Sequence, residues 1–242
     1  MKIRYSRNFL SCSNNNQLYK SATQQKFHKV PEVRNQRKKY AFSFLVNLQR
    51  GFFVMHEIEP FYNWRHLYTA EEDPRSPFFG RTYSEFEYSQ VLYNYYIHPQ
   101  WDEFGSRTLY MKILYADYEL QFVIIELIGE WNDAIENDIM TLKRDVTDKL
   151  FAEGITKFIL ITENVLNFHS SDREYYQEWF DEVTDEGGWI IALNMPEPTQ
   201  YDFRKKKLNY YVELMDIDNW RVYKPEHLFT RINDIITKRL ND

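Results

Sequence analysis

The sequence predicts an α/β fold, a mostly parallel sheet with helices packed on it, and three observations carry the prediction. From Arg107 onward, apolar runs of strand length alternate with segments whose apolar residues recur at helical spacing. The run FVIIELI (122–128) is long and β-branched, as a central strand covered on both faces requires. A chain of 242 residues with 43% apolar and 18% aromatic content, but only 7 Gly and 8 Pro, has the material for a sizeable core.

The elements follow in order. Arg107 to Ala116 reads as a strand and Leu120 to Gly129 as its neighbour; the three residues between them cannot cross over, so the pair is antiparallel. A helix comes next, with Asp133 and Glu136 at capping-box spacing and Ile135, Ile139, Leu142, Val146 and Leu150 on one face, until Gly154 stops it. Lys157 to Ile161 is a short strand. Asp172 to Glu186 is a helix with Tyr176, Trp179, Phe180 and Val183 sharing a face, closed by Gly187-Gly188. Trp189 to Asn194 is a strand, Thr199 to Lys207 a short helix and Tyr210 to Leu214 a strand, and Pro225 opens a terminal helix on Leu228, Ile232, Ile235 and Ile236. The order over 107–242 is β-β-α-β-α-β-α-β-α.

The preceding segment, 55–106, is an aromatic-rich flap. EEDPRSPFFG (71–80) marks a loop, and Phe86, Tyr88, Val91, Tyr93 and Tyr95 then alternate with polar residues as a half-buried strand would place them. Interleaved rings can stack bases, but no Lys or Arg falls between Ser84 and Ser106 to meet phosphates. The flap therefore reads as a cover on the sheet or a protein interface, not a nucleic-acid surface.

Charge divides the chain again. Residues 1–54 hold 11 Lys/Arg and the single acid Glu32, while 55–242 hold 19 bases and 35 acids. A basic arm of that kind can bind nucleic acid or an anionic membrane. Its poor patterning favours a disordered or spurious tail instead, with Met55 opening the change in composition. The lone Cys12 forms no internal disulfide and points to a reducing compartment. The apolar run 41–54 is broken by Asn47, Gln49 and Arg50, too short for a span and unlike a signal peptide, so a cytoplasmic protein without a membrane partner is expected.

The piece His169-Ser170-Ser171-Asp172 admits three chemistries. A hydrolase nucleophile would need flanking glycines for its strained turn, which are absent, and triads are assembled in space and not from chain neighbours. Ser171 and Glu174 have the Ser-x-x-Glu spacing of a capping box, which by itself accounts for a serine there. The third reading is a phosphorylation switch. None of the six histidines has paired metal-ligand spacing, so no metal and no cofactor is expected.

The segments QFVIIELIGEWNDAIENDIMTLKRDV, EGITKFILITENVLNFHSSD and DEGGWIIALNMPEPTQYDFRKKKL together resemble the STAS domain, the family of the anti-sigma-factor antagonists. Gly129, the Ser170-Ser171 pair, Gly187-Gly188 and Asn194 stand where that family has its strand-ending Gly, its serine turn, its Gly-rich turn and its strand-ending Asn, over about 107–240. The resemblance implies a STAS-like sheet and a non-enzymatic regulatory module. Its partner would be a protein, a kinase or an anti-sigma-like factor, released when Ser170 or Ser171 is phosphorylated; a homodimer stays open. It also implies His169, Asp172, Tyr175 and Trp179 as interface residues, Tyr175 and Trp179 only where exposed. The chain departs from the family by His169 in place of Asp and Asp172 in place of Gly, and that added carboxylate would repel a phosphoserine.

An alternative is a small-ligand binder or enzyme with a pocket between flap and sheet, built from His98, Asp102 and Glu126. Against it, YIHPQWDEF reads as a rigid turn with Asp102 and Glu103 solvated or capping. Glu126 interrupts an apolar strand and is expected to pair with Lys112 across the strand pair, because an unpaired buried carboxylate is costly. Ile128 stands where a nuclease core would have Lys. The run Arg204-Lys205-Lys206-Lys207 reads as a solvated face, or as a contact with the acidic 172–186 helix of a like protein.

Overall fold

The structure, a computed structural model, describes residues 58–241 apart from 85, 89, 93, 94 and 172. The chain divides at Val54/Met55, and everything described belongs to the second unit. The basic arm, Met55, Cys12, Tyr93 and Asp172 thus lie outside the described residues.

A five-stranded sheet runs in sequence order: β3 (Leu109–Asp117), β4 (Phe122–Asn132), β5 (Lys157–His169), β6 (Trp189–Leu193) and β7 (Glu213–Met215). The first pair is antiparallel and the rest are parallel. A continuous helix α1 (138–152) links β4 to β5, α2 (Glu174–Asp185) links β5 to β6, α3 (Glu197–Lys205) precedes β7, and α4 (Pro225–Asn241) follows it. This is the mixed, mostly parallel α/β sheet that the sequence predicts.

Alternate residues of β4 feed two cores, as the two-residue period of a strand dictates. Val123, Ile125 and Leu127 meet Ile139, Leu142, Val146 and Leu150 of α1, with Trp179 and Val183 of α2 and Phe203 of α3 in the same layer. Phe122 and Ile124 face the other way, against Leu228, Phe229 and Ile232 of α4.

The 58–106 segment is more than a lid, since it enters both cores. Trp64 packs on Trp220 in the α4 layer, while Ala70, Phe78 and Phe104 join the α1 layer. Asp102 exchanges two backbone hydrogen bonds with Met111 (2.7 and 3.0 Å), covering part of the outer edge of β3. An exposed strand edge is a template for unwanted pairing, and this bridge blunts it.

Several expected elements differ. The alternating 86–95 strand is instead two dipeptide strands, β1 (Val91–Leu92) and β2 (Tyr95–Tyr96), paired antiparallel. Helix α1 starts at Asp138, not Asp133, and Ile135 is 80% exposed, off the apolar face. The reason is that the Asp133 carboxylate serves tertiary partners, accepting from Trp131 Nε1 (2.9 Å), Ile139 N (2.9 Å) and Tyr176 OH (2.7 Å). Strand β5 reaches His169 where Ile161 was the expected end, because Asn164 to His169 pair with Ile128 to Asn132 of β4. The expected strand 210–214 begins as a 3-10 turn (Leu208–Tyr210) and pairs only from Glu213.

Two glycines of the motif have steric reasons. A Cβ on Gly129 would run into the Thr108 carbonyl oxygen, and its φ of +123° is one that side chains disfavour. A Cβ on Gly188 would collide with the Thr156 carbonyl oxygen.

Candidate functional site

The serine loop hangs from the end of β5. The His169 carbonyl accepts from Asp133 N (2.8 Å) and Ala134 N (3.1 Å), which fixes the last strand residue against the turn after β4. Its side chain is exposed, with Nε2 2.8 Å from Glu130 Oε1. Ser170 is half-buried and Ser171 exposed. Helix α2 then starts at Glu174 with Arg173 in the N-cap position, and no side-chain hydrogen bond caps it. Ser171 therefore does not occupy the cap position that its spacing to Glu174 suggests.

Of the other candidates on this helix, Tyr175 is half-buried beneath the Arg144 guanidinium, 5.7 Å from its ring centre. Trp179 is core, its indole edge-on to Phe158 at 5.1 Å. It cannot serve as an interface residue, because the stripe 176, 179, 183 points at the sheet.

A feature not foreseen clips α1 to α2. The middle of α1, Lys143–Thr147, is π-helical, a distortion common at functional sites. It buries Lys143 completely, and Nζ meets Asp148 Oδ1 (2.6 Å), Glu182 Oε2 (2.7 Å) and Glu178 Oε1 (3.4 Å). Burial works against the charged ammonium, but the hydrogen bonds it donates to Asp148 and Glu182 prevail and hold its pKa above the usual lysine range. Arg144 adds bonds to Asp148 (2.9 Å) and Glu178 (2.8 Å). The signal was present: Lys143 stands four residues after Ile139, on the apolar stripe.

The runner-up residues are not gathered into one pocket. Glu126 is buried on the α4 face and accepts from Phe61 N at 2.8 Å. It lies opposite Lys112 in the strand register, yet Lys112 Nζ turns to Asp102 (3.3 Å) and Glu71 (3.6 Å) under the Tyr83 ring, so the expected Glu126–Lys112 pair is not formed. Burial pushes the Glu126 pKa up to about 7, opposed by the Phe61 bond and Arg221. Asp102 is fully buried, neither solvated nor a helix cap. Tyr83 OH (2.5 Å) and Arg81 (3.2 Å) donate to it, and burial pushes its pKa up against the pull of Lys112, Tyr83 and Arg81. His98 Nδ1 accepts from Gln100 N (3.3 Å), with Tyr62 OH also 3.3 Å away. The cavity beneath the flap, lined by Phe61, Tyr62, Tyr68, Gln100 and Lys112, has about 20 Å³, room for one water-sized sphere.

Among the described residues there is no cluster of three or more His, Cys, Asp or Glu placed to hold a metal ion, and no helix is long and apolar enough to cross a membrane. No family model and no curated protein matches the sequence. Solved structures similar to it include anti-sigma-factor antagonists. One is the anti-sigma factor antagonist SpoIIAA in its unphosphorylated form, at 18% identity and a TM-score of 0.39, covering 51% of this chain and 96% of that one. Another is the Bacillus cell fate determinant SpoIIAA in the phosphorylated form, at 18% identity and 0.36, covering 50% and 98%.

Proposed function

We propose that the chain is a non-enzymatic regulatory module of the cytoplasm that recognises a protein partner through the serine loop, the first turn of α2 and the adjoining strand ends. The observation that carries this reading is the exposed Ser171 just ahead of a 12-residue helix whose N-cap residue, Arg173, makes no side-chain cap hydrogen bond. A phosphoryl group on Ser170 or Ser171 would add about −1.5 to −2 charges beside the first N–H groups of the helix and the positive end of its dipole. Glu174 in the first turn opposes such a group, so backbone donors and Arg173 must outweigh it. A partner presenting acids to this surface would be expelled. The partner class that fits the motif order is an anti-sigma-like factor or kinase.

The test is affinity capture with wild type, Ser170→Asp, Ser171→Asp and the matching alanine variants, with intact-mass analysis of the protein from its own cells. The expected result is one phosphoryl group on one serine, and a partner retained by the alanine variant but lost by the aspartate variant at that position. Unmodified serines together with equal partner recovery from all variants would overturn the proposal.

A further inference from the structure

We propose that the outer face of α2 and α3 is a self-association surface whose partner is a second copy of this chain. The copies would dock about a two-fold axis, so that the basic run of each meets the acidic ridge of the other. The proposal goes beyond the partner reading, because it uses the C-terminal half of α2 and the end of α3 and leaves the serine loop free.

Four observations support it. Asp181, Asp185 and Glu186 are exposed on or just after α2, and among the described residues none forms an ion pair, whereas Glu178 and Glu182 are turned inward to Lys143 and Arg144. Arg204, Lys205, Lys206 and Lys207 are exposed at the end of α3, again without an ion pair among the described residues; Asp202 is the carboxylate beside them. Both sets lie on one side of the sheet, since Phe203 contacts Tyr176 (5.9 Å between rings) and Tyr210 contacts Phe180 (5.6 Å). Along the same strip Tyr201 and Tyr210 are 66% and 72% exposed, which supplies rings for the middle of an interface.

The charge arrangement selects the partner. A ridge of one sign would suit a foreign surface of the opposite sign. Here the two signs lie side by side, and rotation by a half turn places each against its complement, as an isologous interface requires. The exposed charges are screened by salt, so association should be strongest at low ionic strength.

The full chain is examined by sedimentation equilibrium at low and high salt. The expected result is a dimer whose Kd rises about tenfold or more with salt, and about tenfold or more in K205E/K206E and in D181K/D185K. An equimolar mixture of the two variants should restore wild-type association, because both contacts of the mixed dimer are again of opposite sign. All substituted side chains are exposed, so unchanged circular dichroism accompanies that result. A monomer at every concentration, a dimer indifferent to both reversals, or a mixture no tighter than its components would overturn the proposal.

Discussion

Replacing Glu126 by Gln removes a charge that the fold holds in an apolar layer while keeping the acceptor that Phe61 N uses. Burial lifts the folded-state pKa from 4.5 to about 7, so the native state binds this proton more tightly than the unfolded chain does. The sign follows: this group's contribution to stability is fully present below about pH 4.5 and is lost as pH rises through about 7. Each pKa unit corresponds to about 1.4 kcal/mol, which places the upper limit of the loss on the order of 3 kcal/mol. The variant cannot titrate there. Urea unfolding of both proteins at pH 5 and pH 8.5 should show Glu126→Gln gaining on wild type by roughly 1 to 3 kcal/mol between the two conditions. Asp133 has a pKa near 7 as well, but it is common to both proteins and cancels in the difference. A stability difference that is the same at both pH values would refute the reasoning.

Lys143→Met strips the ammonium from three carboxylates and should destabilise the fold by about 3 kcal/mol, less than a fully buried site would lose because Asp148, Glu178 and Glu182 keep some solvent; urea midpoints measure it. Gly188→Ala drives a methyl into the Thr156 carbonyl and should lower stability by about 2 kcal/mol or more, read as a drop in Tm. Ser171→Ala should change unfolding free energy by less than about 0.5 kcal/mol, since Arg173 and not Ser171 holds the N-cap position of α2, whereas a capping serine would be worth about 0.5–2 kcal/mol.

Strand and helix order was legible because each helix carries its own periodicity and each glycine stop lies next to the element it ends. What escaped was decided at a distance. Thr162, Glu163 and Asn164 look like a loop, yet pairing with β4 carries β5 on to His169. Asp133 and Glu136 have the spacing of a cap, yet Trp131 and Tyr176 engage the aspartate while Glu136 reaches Arg107 (3.6 Å). The two serines were found at the strand-to-helix junction, but whether they cap or signal was not a matter of spacing. Lys112 was assigned the partner opposite it in the ladder; the flap brought Asp102 and Glu71 closer.

The bridge between Asp102 and Met111, with Phe78 and Phe104 seated behind it, has a practical consequence. Trimming the molecule to residues 107–242 would unzip a ladder rung and leave a gap among the rings. The fragment beginning at Arg107 should then stick to its own kind through raw backbone amides. Anyone shortening this chain should keep the residues from Ile58 to Ser106.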